Sequence, residues 1–125
     1  MRIAFQGVAG AYSEAAALQF RSDADLEPCV SFEDVFTAVK DGRVTHGILP
    51  IENTIGGTIH RNYDLMLEYD DLSIVGEVKH AIVHNLIVCN GTKLKDVRKV
   101  FSHPQGLAQC ERFLRTLENI EIVAN

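Results

Sequence analysis

The 125-residue chain has no basic cluster of five or more residues, no Cys-x-x-Cys pair, no apolar run approaching membrane-spanning length, and no internal repeat or low-complexity segment. Each absence excludes something. Without a Lys/Arg patch nothing neutralises a phosphate backbone, so nucleic acid is not an expected partner. Without about 20 consecutive apolar residues no helix spans a bilayer, so no membrane partner is expected either. Cys29, Cys89 and Cys110 are odd in number and lie in apolar patterns. They read as buried, reduced thiols of a reducing compartment, and the expected location is the cytoplasm. The opening MRIAFQGVAG carries one Arg and enters a strand pattern at once, so no signal peptide is expected.

Three chemical signatures are missing as well. G-x-G-x-x-G does not occur, which weakens a dinucleotide reading. G-x-S-x-G does not occur, and Ser13, His103 and Glu52 form no hydrolase signature. His80 and His84 have a metal-ligand spacing for a helix, but Ala81-Ile82-Val83 and Leu86-Ile87-Val88 favour a strand and no third ligand is evident.

What is present is an ordinary globular composition, 46% hydrophobic and 23% charged. It suits one domain or two small lobes with a core that needs no staples. The net charge of −5 offers an anion no global attraction, so an anionic ligand would need a local site of oriented N–H groups or a few Arg and Lys.

Residues 2–6 read as a strand, followed by a Gly-rich turn and an Ala-rich helix over 13–20. A second strand is expected over 26–30. Ser31 then caps a helix with Asp34 three residues on, Phe32, Val35, Phe36 and Val39 recur at helical spacing, and Gly42 stops it. A third strand is expected over 47–51, and Thr58 as the cap of a helix carrying Ile59, Tyr63, Leu65, Met66 and Tyr69. From about Leu72 the texture changes to extended β-branched runs at 73–78 and 81–89, so a change of lobe is expected there. A short helix at 94–98, a strand at 99–101, one helix over 105–117 with Leu107, Cys110, Phe113, Leu114 and Leu117 inward, and a strand at 121–124 complete the pattern. Alternating β and α elements predict a mostly parallel sheet with helices on its faces. Ending on a strand reads as part of a longer domain.

Three polar clusters stand at strand-to-helix junctions. Gln6-Gly7-Val8-Ala9-Gly10-Ala11-Tyr12-Ser13-Glu14 has the ingredients of an anion site, or is an ordinary turn with Ser13 as cap. Glu52-Asn53-Thr54, followed by Gly56-Gly57, could hydrogen-bond a polar ligand, or is turn chemistry alone. Ser102-His103-Pro104-Gln105-Gly106-Leu107-Ala108-Gln109-Cys110 places Ser102 or His103 near an N-cap and Gln109 in an apolar stretch, or is a cap plus a surface glutamine.

In this order, together with His60-Arg61-Asn62-Tyr63-Asp64-Leu65-Met66-Leu67 and Ser73-Ile74-Val75-Gly76-Glu77-Val78, these clusters resemble the prephenate/arogenate dehydratase family. The resemblance spans essentially the whole chain. It implies an α/β, two-lobed fold like the type II periplasmic binding proteins, incomplete here: a first lobe over 1–75 and the start of a second over 76–125, without the closing segments or the regulatory ACT domain. It implies decarboxylating dehydration of prephenate to phenylpyruvate, or of arogenate to phenylalanine, within aromatic amino-acid biosynthesis. No cofactor and no metal are implied. The implied partners are the small-molecule substrate and further copies of the chain, as a dimer or tetramer, and the plastid stroma replaces the cytoplasm in a plant. Catalytic positions by resemblance are Asn53, Ser102 and Gln109, with Ser13, Glu52, Thr54, Gly57 and His103 at substrate. Asn53 and Gln109 are expected to orient substrate or leaving group, and Ser102 with the following N–H groups to meet a carboxylate. The family's Thr-Arg-Phe signature, the expected source of the catalytic threonine, does not occur in this sequence. A non-catalytic binding module for a small anion or amino acid, or an inactive fragment, is the alternative.

Overall fold

A computed structural model describes residues 1–53 and 57–125. The expectations for Thr54 and Gly56 therefore lie outside the described residues. The chain divides into two compact units, Met1–Ile82 and Val83–Asn125.

The first unit is built on β1 (Arg2–Gln6), α1 (Tyr12–Phe20), β2 (Asp25–Cys29), α2 (Phe32–Lys40) and β3 (His46–Ile48). β1 runs between β2 and β3, parallel to both. Its consecutive residues Ile3, Ala4 and Phe5 are all at most 2% exposed. Successive strand side chains point to opposite faces, so the central strand is covered on both sides, as a parallel sheet requires. Ala4 clusters with Val35, Ala38 and Val44, which places it on the α2 side. α1 also packs on β1 and buries Ala17 completely. Ala4 and Gly47 are cross-strand partners. A Cβ added to Gly47 would lie 2.6 Å from Val35 Cγ1, so the small pair is what lets α2 seat on the sheet.

α2 starts as its sequence predicts. The Asp34 N–H donates to Ser31 Oγ at 3.1 Å and the Ser31 N–H donates to Asp34 Oδ2 at 3.0 Å, a reciprocal capping box. Gly42, at φ +72°, lies just beyond the helix.

The third strand is shorter than expected. It ends at Ile48, two residues before Pro50, which has no N–H to extend a ladder. Glu52–Asn53 forms its own strand, β4, antiparallel to β5 (Gly57–Thr58). Thr58 is thereby taken into a hairpin and does not cap the next helix. α3 (His60–Glu68) instead begins after Ile59 with no capping side chain. Beyond its end, Tyr69 stacks on Phe36 with ring centroids 5.1 Å apart, and the Tyr69 and Thr37 hydroxyls meet at 3.2 Å.

Residues 72–89 form neither helix nor strand, contrary to the strands expected at 73–78 and 81–89. Ile74, Val75, Val83 and Ile87 are all more than 70% exposed. β-branched composition favours a strand only where a neighbouring ladder exists, and no described strand pairs with this segment. Its Cys89 is exposed, which corrects the expectation of a buried thiol; Cys29 is buried and Cys110 half-buried. Burial pushes the Cys29 thiol pKa up, with the Glu27 carboxylate adding to the shift.

The second unit contains a 3-10 turn at Leu94–Asp96, then β6 (Lys99–Ser102), α4 (Pro104–Gln109), α5 (Glu111–Leu114) and β7 (Glu121–Ala124). β6 and β7 are parallel, in register from Lys99↔Glu121 to Ser102↔Ala124. The single helix expected over 105–117 is two short ones. They meet at Cys110, whose φ −101° and ψ 5° leave the helical region and whose N–H is shared between the Gly106 and Leu107 carbonyls, both at 3.1 Å. The core is Val97, Val100 and Leu114, with Leu107, Cys110, Leu117 and Ile120 packed against it. Phe113, expected inward, is 45% exposed. Among the described residues no helix is long and apolar enough to cross a membrane.

Candidate functional site

At the first junction Gly7 and Gly10 take φ +126° and +89°, conformations that favour glycine. The Gly7 N–H donates to the Cys29 carbonyl at 3.0 Å. The Gly10 N–H donates to Glu14 Oε2 at 2.6 Å. The N-cap of α1 is Ala11, without a capping side chain, so Ser13 lies inside the first turn and is not the cap. A carboxylate already sits at this helix start, where the dipole favours negative charge. The turn is therefore a poorer anion site than its glycines suggest.

At the second junction Asn53 is half-buried and pairs with Gly57 across the β4–β5 ladder, while Glu52 is exposed opposite Thr58. Gly57 has φ +79°, and a Cβ there would meet nothing within 4 Å. The positive φ by itself favours glycine at this position. Asn62, on α3, belongs to the 60–67 stretch that matches the family but carries no site role in the sequence reading. It is completely buried, and its Nδ2 donates to the Pro50 carbonyl at 2.7 Å, three residues before Asn53. Among the described residues its Oδ1 has no hydrogen-bond partner, and burying an amide oxygen unpaired costs about 1–3 kcal/mol. The available signal was spacing: Asn62 lies three residues from both Ile59 and Leu65, a polar residue on the inward stripe of the helix.

At the third junction His103 is the N-cap of α4, its Nδ1 accepting from the Gln105 N–H at 3.2 Å, and Pro104 fills the first helical position. Ser102 is the last residue of β6 and is exposed. A Cβ on Gly106 would lie 3.0 Å from Ser102 Oγ; the glycine leaves room for that hydroxyl over the helix start. α4 is only six residues long, and its Gln105 N–H is already taken by His103 Nδ1. Gln109, half-buried at the end of α4, has its Oε1 2.8 Å from His84 Nε2. An open groove lined by Leu107, Leu114, Leu117, Ile120 and Ile122 lies in the same unit and includes none of Ser102, His103 or Gln109.

The two histidines considered as ligands thus have other contacts. His84 meets Gln109. His80 Nδ1 lies 3.1 Å from Gln19 Oε1, Gln19 Nε2 donates to the Lys79 carbonyl at 3.0 Å, and the His80 ring lies beside that of Tyr12. Among the described residues no three His, Cys, Asp or Glu side chains are placed to hold a metal.

The sequence profile of the family described as prephenate dehydratase matches residues 3–125. Arogenate dehydratase 2 of Petunia hybrida is 52% identical over 117 residues, which cover 94% of this chain and 29% of that protein. The chain therefore spans less than a third of the length of this relative. Among solved structures, GqqA, described as a novel type of quorum-quenching acylase, superposes with a TM-score of 0.79 at 34% identity over 100% of this chain and 44% of its own. Prephenate dehydratase from Arthrobacter aurescens, solved in complex with L-Phe, gives a TM-score of 0.77 at 24% identity over 100% of this chain and 42% of its own, which supports the fold. The fold is accordingly the α/β, periplasmic-binding-protein type II-like one of these neighbours, covered in part.

Proposed function

Because this chain belongs to the prephenate dehydratase family, we propose that the full-length protein converts prephenate to phenylpyruvate, or arogenate to phenylalanine, by coupled loss of water and CO2. The observation that carries this reading is the family match over residues 3–125, which takes in all three polar junctions. The shared fold of the acylase does not carry acylase chemistry with it, because function resides in particular side chains.

The substrate is a cyclohexadiene with a hydroxyl and a carboxylate at opposite ends of the ring. The carboxylate C–C bond breaks, its electron pair enters the ring, and the C–O bond breaks at the far end. Aromatisation supplies much of the driving force. The protein's task is to hold the anion and make the hydroxyl leave as water rather than hydroxide, which fixed hydrogen-bond donors assist. We assign Asn53 and Gln109, amides that stay neutral across the working pH range, to orienting substrate and leaving group. The Ser102 hydroxyl donates to a carboxylate, and removing water from around the departing carboxylate favours CO2 loss. Ser13, Glu52, Thr54, Gly57 and His103 remain proposed substrate neighbours, and no proton donor is assigned among the 125 residues. The proposal includes assembly as a dimer or tetramer and residence in the cytoplasm or plastid stroma.

Incubating the purified full-length protein with prephenate and following phenylpyruvate absorbance tests the reading, with phenylalanine release from arogenate as the parallel assay. Product from either supports it. Binding without product favours a non-catalytic binding module, and neither binding nor product overturns both.

A further inference from the structure

We propose that His84 is a positioning residue that locks the Gln109 side chain with its amide N–H groups presented to substrate. The inference deepens the dehydratase reading and rests on it. The geometry is one hydrogen bond within the second unit: His84 Nε2 stands 2.8 Å from Gln109 Oε1. The amide oxygen carries no proton, so the ring nitrogen must be the donor. An imidazole with its proton on Nε2 provides it.

The consequence is a choice of polarity. A glutamine side chain can present its oxygen or its nitrogen to a ligand by turning its amide over. With Oε1 held by His84, the Nε2 group is left with its two N–H donors for substrate. Donors are what an anionic substrate and a departing hydroxyl require. His84 lies in the segment without regular structure and is exposed, whereas Gln109 is half-buried at the end of α4. Such a hydrogen bond contributes little to folding when water competes for it. Its effect is on orientation: it removes the wrong rotamer of a group that must meet the transition state.

The test is a cycle of variants in the full-length protein, assayed with prephenate and arogenate: His84→Leu, His84→Gln, Gln109→Ala and His84→Leu/Gln109→Ala. His84→Leu should lower kcat about tenfold or more, as misplacing a reacting group does, with little change in KM and an unaltered melting temperature. His84→Gln, which returns an N–H donor near the position of Nε2, should recover most of the loss. The double variant should be no slower than Gln109→Ala alone, because a residue that acts only through Gln109 has nothing left to position. Wild-type kcat in His84→Leu, or a double variant that multiplies the two losses, would overturn the role. A fall in melting temperature with kcat unchanged would overturn it in favour of a structural contact. A wild-type protein that turns over neither substrate would overturn the dehydratase reading, and this role with it; an active wild type beside an active His84→Leu overturns only the role of His84.

Discussion

The two units use the same grammar, a parallel strand followed by a helix, with different results. In Met1–Ile82 a central strand is covered on both faces, and Ile3, Ala4, Phe5, Val35, Phe36 and Leu65 are almost fully withdrawn from water. In Val83–Asn125 two parallel strands and two short helices withdraw only Val97, Val100 and Leu114. A two-stranded parallel pair has no central strand, so neither strand is flanked on both edges. The first unit supplies the larger core, and the second presents polar side chains, Ser102, His103 and Gln109, on elements that the core holds less tightly.

Two pairs of substitutions, one single substitution and one labelling experiment break or sharpen that contrast, in decreasing order of expected effect. Phe5→Ala should cost about 3–5 kcal/mol of unfolding free energy, since Phe5 is a large side chain only 1% exposed on the central strand, and Leu114→Ala only about 2 kcal/mol, the low end for its type, because its smaller surroundings can collapse. Denaturant unfolding compares them, and equal costs would mean that the second core is as tightly built as the first. Gly47→Ala drives a methyl group into Val35 and should cost about 1–3 kcal/mol. Gly106→Ala meets only the Ser102 side chain, its hydroxyl at 3.0 Å, which can turn aside about χ1, so it should leave the melting temperature nearly unchanged while altering substrate KM. Ser31→Ala removes the capping-box hydroxyl and should cost about 1 kcal/mol, read from the same unfolding curves. The smallest energetic effect is a chemical one. Alkylation followed by mass spectrometry should label exposed Cys89 first, Cys110 next and Cys29 last. The raised Cys29 pKa adds a pH dependence of fixed sign: its contribution to stability is present below the unfolded thiol pKa and is lost as pH rises through the higher folded value.

Local signals with a complete physical cause on the page were legible in the sequence. Ser31 and Asp34 satisfy each other within one turn, so their capping box needs no outside information. The strands at 2–6 and 121–124 lie where apolar patterning places them. Features that depend on distant partners were not legible. The runs at 73–78 and 81–89 have strand composition, yet a strand needs a ladder, and composition does not say whether one is there. Thr58 looked like a cap because a helix follows, but the hairpin with Glu52–Asn53 claims it first. Ser13 looked like a cap because serine caps well, but Glu14 reaches back to the Gly10 N–H instead. For the site, motif order pointed to Asn53, Ser102 and Gln109. It did not reveal the residues that hold their surroundings: Asn62 on the Pro50 carbonyl, Gly106 beneath Ser102 and His84 on Gln109. The partners of Asn62 and His84 are 12 and 25 positions away, so a local pattern can mark the residue but not its partner.

The central proposal is that Asn53 and Gln109 orient the substrate for dehydration. Its most direct measurement is kcat on prephenate and on arogenate for Asn53→Ala and Gln109→Ala in the full-length protein, beside wild type. A loss of at least about tenfold in each variant, the low end for a positioned donor, is the predicted result; wild-type rates in both would contradict the account.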